Sequence, residues 1–85
     1  MSGAMQNRRE DLSSAFARVL ERHRTTKKLS RETLAERAGL HQTYIGLIER
    51  GLRNPSLDAS DAIAEALGTK LSNLVAEAER DRNEP

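Results

Sequence analysis

The sequence predicts a small all-α domain built from five short helices. Ala, Leu, Glu and Arg recur along the chain, and all four are strong helix formers. Hydrophobic residues make up 36% of the sequence but aromatic residues only 2%, so the core has to be aliphatic. These aliphatic residues recur at helical spacing. A chain of 85 residues has room for one such domain, which excludes a Rossmann domain, a barrel or a two-domain enzyme.

A capping pattern and an apolar stripe predict the first helix. Asn7 followed by Glu10 fits a capping box. The β-branched pair Thr25 and Thr26 predicts the end of this helix. His23 falls on the core-facing stripe, where we expect a half-buried side chain with a hydrogen-bond partner rather than a ligand or a base. The stripe comprises Leu12, Phe16, Val19, Leu20 and His23.

Two very short helices follow and are joined by a tight turn. Ser30 is the predicted N-cap of the second helix, which Gly39 ends, and the third helix spans residues 42–50. Gly39 supplies the positive φ of the turn, and Ala35 is small enough for the third helix to cross it closely. The pattern fits a helix-turn-helix, although similar hairpins occur in proteins that never touch DNA.

The last two helices are predicted from their boundaries. Ser56 caps the fourth helix, Gly68 ends it, and the fifth begins after Lys70. Beyond Glu79 the sequence is too polar to be buried. The predicted divisions are an N-terminal tail or helix extension (1–11), a helix-turn-helix domain (12–79) and a disordered tail (80–85).

Charge is distributed unevenly although the whole chain carries only +1. Residues 12–54 hold nine basic and four acidic side chains, a net charge of +5. Residues 55–85 hold three basic and seven acidic ones, a net charge of −4. A basic half suits a polyanionic partner such as nucleic acid.

Several sequence blocks carry a resemblance to a known family. They are residues 29–35 (LSRETLA), 38–40 (AGL), 43–45 (TYI), 48–51 (IERG), 53–57 (RNPSL) and 64–68 (AEALG). With these blocks, the stretch 16–75 resembles the phage-repressor/Cro-like helix-turn-helix family, also called XRE-type. Its members are five-helix domains whose third helix lies in the major groove. The resemblance implies a sequence-specific regulator that binds double-stranded DNA: a controller protein of a restriction–modification system, a phage or plasmid repressor, or an antitoxin-like autoregulator. The compact form is most similar to the controller type.

The family's base-reading positions fall at the start of the third helix. They are Gln42, Thr43 and Leu47, with His41 and Gly46 beside them. Gln pairs well with adenine, and Thr hydrogen-bonds or places its methyl group on a thymine methyl. Leu47 either touches a thymine methyl or is an isolated exposed Leu. Gly46 permits a close approach to the duplex or has drifted, and His41 donates to a phosphate or faces solvent.

The resemblance also assigns the contacts to the phosphate backbone. These residues are Arg31, Tyr44, Arg50, Arg53 and Asn54. Such contacts set the register on the duplex and supply most of the affinity. Lys28 stands where relatives often have Gly, so that turn is expected to be either strained or different in this chain. Glu49 is expected to pair with Arg24 in a structural ion pair, since a carboxylate facing phosphates would repel them.

We expect a homodimer on a palindromic operator, because one recognition helix contacts too few base pairs for specificity. Half-site centres should lie roughly 34–36 Å apart. The lean core also suggests that a partner subunit adds buried area. The predicted dimer surface comprises Leu67, Leu71, Leu74, Val75 and Ala78, unless these residues only close the core of the monomer.

Other functional classes find little support in the residues. The chain has no Cys and only two His, so we expect no metal site, no thiol nucleophile and no catalytic constellation. We expect no cofactor, no small-molecule ligand and no membrane span, and a location in the cytoplasm on DNA. The competing hypothesis is a helical protein-interaction module, or an antitoxin-like autoregulator, whose bundle binds another polypeptide.

Overall fold

Five α-helices make up the computed structural model, which describes residues 11–83. The helices are α1 (Leu12–Thr26), α2 (Arg31–Ala38), α3 (Gln42–Glu49), α4 (Leu57–Ala66) and α5 (Leu71–Asn83). The predicted all-α, five-helix fold is confirmed. The predicted capping box at Asn7 lies outside the described residues; the side chain of Asp11 caps α1 instead and accepts a hydrogen bond from Ser14 N at 3.0 Å.

Short polar side chains start α2 and α4 as the sequence predicts. The Ser30 hydroxyl accepts from Thr33 N at 3.0 Å, and the Ser56 hydroxyl accepts from Ala59 N at 3.0 Å. Each of these bonds satisfies one amide that the first helical turn leaves open. Helices of this length are marginal alone, so tertiary packing has to hold them.

Aliphatic side chains from all five helices form one core. Helix α1 packs against α3 and α5, while α2 packs against α3 and α4, and α4 against α5. The largest fully buried side chains are Val19, Leu20, Leu34, Ile45, Ile48, Ile63, Leu67 and Leu74. This arrangement presses the inner side of α3 onto α1 and α2 and leaves its outer side uncovered by the described helices.

Helix α5 extends beyond the predicted end of the domain. The sequence predicted a disordered tail from residue 80, but α5 continues to Asn83. Charge pairing with α1 accompanies this extension: Arg22 lies 3.0 Å from a Glu77 oxygen and 3.2 Å from an Asp81 oxygen. Polar residues that no core can bury are therefore held in helix by α1, and only residues 84–85 of the predicted tail lie outside the described range.

His23 bridges the same two helices. Its Nε2 lies 3.2 Å and 3.0 Å from the two carboxylate oxygens of Glu77, and its side chain is partly buried. Burial raises the pKa of Glu77, but hydrogen bonds from His23 and Arg22 outweigh that effect and hold this pKa below its ordinary value. His23 is thus a satisfied, half-buried side chain, as its place on the stripe predicted.

The predicted dimer surface is wrong for three of its five residues. Leu67, Leu74 and Ala78 are fully buried inside the monomer. Only Leu71 and Val75 are half-buried, because they lie one step around α5 from the side that faces α1. They line a shallow groove between α1, α4 and α5, together with Leu12, Ser13, Phe16, Pro55, Leu57 and Ser60.

The turn between α1 and α2 holds a strained residue. Lys28 has a φ of 59°, the left-handed region that side-chain-bearing residues rarely adopt. Its amide donates to the Thr25 carbonyl at 2.9 Å, so the turn closes despite the cost. The expected strain at this position is present.

Candidate nucleic-acid interface

A glycine turn joins α2 to α3 and sets the angle between them. Gly39 has a φ of 72°, and the amide of Leu40 donates to the Ala35 carbonyl at 2.8 Å. Leu40 packs partly buried against the core, and Ala35 is buried, so the two helices meet closely. A positive φ costs Gly nothing, which makes this turn the fixed corner of the helix-turn-helix.

The outer side of α3 presents the predicted readers. Ile45 and Ile48 are buried and fix the rotation of the helix. Gln42 and Thr43, at its start, are exposed on the other side. Leu47 is only half-buried, so the core does not fully claim it. Two polar side chains with a partly exposed apolar one therefore face outward from a rigid, buried inner edge.

Gly46 has an unusual environment in the middle of α3. The residue itself is buried by its neighbours, yet an added Cβ would meet no atom within 4 Å. Gly46 therefore offers no side chain to read a base, and packing inside the protein does not require Gly. The space that a side chain would take at this position is therefore empty.

His41 precedes α3 without capping it. The residue is exposed, and its side chain makes no cap hydrogen bond. Its carbonyl accepts from Tyr44 N at 3.0 Å, as the backbone of a cap position does. The imidazole is therefore left available for a partner outside the monomer.

Tyr44, in α3, connects this helix to the start of α4. The amide of Ser56 donates to the Tyr44 hydroxyl oxygen at 3.3 Å, and the guanidinium carbon of Arg53 lies 5.8 Å from the Tyr44 ring centroid. This is cation–π distance. The phenol therefore holds Arg53 and the loop that carries it, while its own hydroxyl proton remains able to donate.

A carboxylate on the inner side of α3 lies between two arginines. Glu49 exposes 1% of its side chain; its Oε2 lies 2.7 Å from Arg24 Nε, and its Oε1 lies 2.8 Å from Arg31 Nε. Arg24 also donates to the Leu29 carbonyl at 2.8 Å. The hydrogen bonds to Glu49 raise the pKa of Arg24 above its ordinary value. The predicted Arg24–Glu49 pair is present.

Arg31 has a partner inside the protein that the sequence did not indicate. The resemblance assigned it to a phosphate, and the structure shows it paired with Glu49 and 41% exposed. The remaining predicted phosphate contacts lie near the far end of α3: Arg50, Arg53 and Asn54 are exposed. Basic side chains therefore stand near both ends of the outer side of α3.

Two other classes of site find no support within residues 11–83. No group of three or more His, Asp or Glu side chains there is placed to hold a metal ion. None of the described helices is both long and apolar enough to span a membrane.

Comparisons with known proteins agree with this geometry. The family model described as Helix-turn-helix matches residues 20–74. The control protein C.SmaI of Serratia marcescens is 40% identical over 65 residues, covering 76% of this chain and 77% of that protein. The control protein C.BamHI of Bacillus amyloliquefaciens is 43% identical over 61 residues, covering 71% and 75%.

A solved structure is also similar. The crystal structure of the restriction–modification controller protein C.AhdI from Aeromonas hydrophila has a TM-score of 0.70 and 42% identity, covering 73% of this chain and 94% of that one. The helix order, the glycine turn and these similarities lead to one assignment. The chain belongs to the XRE-type, Cro/repressor-like helix-turn-helix family of DNA-binding transcription regulators.

Proposed function

We propose that this protein is a transcription regulator of the restriction–modification controller type, which binds a palindromic operator in double-stranded DNA as a homodimer. The observation that carries the proposal is the outer side of α3, where Gln42 and Thr43 are exposed on a helix anchored by Ile45 and Ile48. An exposed polar start on a rigidly held helix is what major-groove reading needs.

The proposed reading follows from side-chain chemistry. Gln42 forms a bidentate pair with adenine, and Thr43 contacts a neighbouring base edge; each good pair contributes roughly 1–3 kcal/mol of discrimination. Leu47 contacts a thymine methyl group from its half-exposed position. Gly46 lets the helix backbone approach the groove, and His41 donates to a phosphate beside it.

The proposed phosphate contacts surround this helix. Their members are Arg31, Tyr44, Arg50, Arg53 and Asn54. The Tyr44 ring supports Arg53, which favours a fixed direction for that guanidinium. The net charge of +5 on residues 12–54 adds long-range attraction to the duplex.

The dimer surface is proposed anew from the exposed apolar side chains. Leu57 is 77% exposed and lines the groove together with Leu71 and Val75. A partner copy placed here would cover Leu57 and fill the groove, adding apolar contact to a lean core. The groove adjoins the start of α4, where Ser56 bonds to Tyr44, so dimer contact and recognition helix are close in the fold.

Selection of preferred duplexes from a random pool with purified protein tests the proposed function. We expect enrichment of a palindrome with half-site centres roughly 34–36 Å apart. Affinity for random duplex should fall steeply with salt, because phosphate contacts release counterions. A protein-interaction module would instead give no enriched site and no steep salt dependence, and that result would contradict the proposal.

Sedimentation of two matched variants tests the dimer surface. At tens of micromolar the wild type should be dimeric. Leu57→Lys should raise the dissociation constant of the dimer roughly tenfold or more, since it places a charge where the proposed dimer buries an apolar side chain. Leu52→Lys is the control, because Leu52 is also exposed, at 66%, but does not line the groove. A monomeric wild type, or equal behaviour of the two variants, would rule this surface out.

A further inference from the structure

The ion-pair cluster of Arg24, Arg31 and Glu49 joins two positive charges to one negative charge. One carboxylate, Glu49, is shared by the guanidinium groups of Arg24 and Arg31. The two arginines are not equivalent: Arg24 exposes 11% of its side chain and Arg31 41%. Arg24 has a further acceptor in the Leu29 carbonyl. The part of the cluster that reaches solvent is therefore the exposed end of Arg31.

Arg31 uses the inner edge of its guanidinium for this pair. Its Nε donates to Glu49 Oε1 at 2.8 Å. A guanidinium has five N–H donors in a rigid plane, so a bond through Nε leaves the terminal amino groups free to bind a second anion. Arg31 is also the first residue of α2, where the open amides of the helix start favour a negative charge.

We infer that Arg31 contacts Glu49 and a DNA phosphate at the same time, and that Glu49 is a positioning residue for this contact. The inference rests on the proposed function. The buried carboxylate fixes the direction of the guanidinium, so its terminal amino groups meet the backbone already oriented. Glu49 thus contributes to DNA binding without touching DNA.

This arrangement requires Arg at position 31, not merely a positive charge. Lys has one ammonium on a flexible stem and cannot present separate donor edges to two anions. A Lys at this position would stay with the buried carboxylate, whose charge has no water to compensate it, and would lose the phosphate. The conservative substitution therefore separates positioning from simple charge.

The first experiment compares Arg31→Lys with Arg31→Gln and with the control Arg37→Lys, an exposed cation in the last turn of the same helix, outside the cluster. Binding to a random duplex is measured over a range of salt. We expect both Arg31 variants to lose roughly tenfold in affinity and to lower the salt slope by about 0.9, the value of one phosphate contact. Arg37→Lys should stay within about twofold of wild type, because its charge is kept and it takes no part in the proposed contacts.

The second experiment assigns the effect to Glu49. In a Glu49→Gln background that thermal melting shows to be folded, adding Arg31→Lys should change the duplex affinity by less than about twofold, because neither an Arg nor a Lys at this position is held any longer. A loss as large as in the wild-type background would overturn the role of Glu49. If Glu49→Gln does not fold, the lysine comparison decides alone.

The outcomes separate this inference from the proposed function. Wild-type binding with Arg31→Lys equal to wild type would overturn the inference and leave the proposed function intact. Absence of duplex binding by the wild type would contradict the proposed function, and the inference with it.

Discussion

Two carboxylates in this molecule each lie between two basic side chains, in very different surroundings. Glu49, the last residue of α3, is 1% exposed and lies between Arg24 and Arg31. Glu77, on the opposite helix pair α1–α5, is 29% exposed between Arg22 and His23. The same chemistry should therefore have different consequences: the buried cluster determines whether α3 is held in place, whereas the exposed one only fastens the end of α5.

The largest expected effect is the loss of Glu49. Glu49→Ala leaves a buried guanidinium without its partner and should lower the free energy of unfolding by about 3–5 kcal/mol. Glu77→Ala removes the exposed partner and should cost below about 1 kcal/mol. Urea unfolding of the two variants measures both values. Equal losses would show that burial does not distinguish the clusters.

Gly46→Ala is expected to have opposite effects on stability and binding. An Ala here adds up to about 1 kcal/mol of helix stability, and its Cβ meets no atom within 4 Å. If the backbone approaches the groove, the same methyl group should weaken duplex binding severalfold. The control is Ser72→Ala, at an exposed position of α5, which should leave duplex binding unchanged. Duplex affinity of Gly46→Ala equal to wild type would contradict close approach.

The smallest expected effect is a pH dependence at the exposed cluster. The native pKa of Glu77 is lowered, so its contribution to stability is present above the ordinary pKa of a Glu and disappears as pH falls through the native value. The difference in unfolding free energy between wild type and Glu77→Gln should therefore be below about 1 kcal/mol at pH 7 and vanish in acid. High salt should reduce it as well. A difference that grows in acid would reverse the assigned sign.

Local signals in the sequence were sufficient for the helices of this fold. Ser30, Gly39 and Ser56 act on amides and turns within a few residues of themselves, so their effects can be read without a tertiary structure. The Arg24–Glu49 pair joins residues 25 positions apart and came from the family resemblance instead. The predicted end of α5 was wrong, because this end of the helix pairs with a distant residue. Arg22 lies 55 positions from Glu77 and 59 positions from Asp81 along the chain.

Features that the sequence did not indicate depend on which side of a helix meets a neighbour. An apolar stripe on α5 looks the same whether it closes a core or faces a partner, so Leu74 and Val75 could not be told apart before packing was known. Arg31 and Glu49 lie 18 positions apart, and no local pattern joins them. Their contact exists only because α2 and α3 cross at the glycine turn.

The most direct test of the account is the operator selected by Gln42→Ala beside that selected by Arg53→Ala. We predict that Gln42→Ala relaxes the preference at one position of each half-site by roughly 1–3 kcal/mol. Arg53→Ala should keep the preferred sequence, weaken binding to all sequences alike and lower the salt slope by about 1. A Gln42→Ala protein that selects the wild-type operator with undiminished preference would contradict the claim that the start of α3 reads DNA.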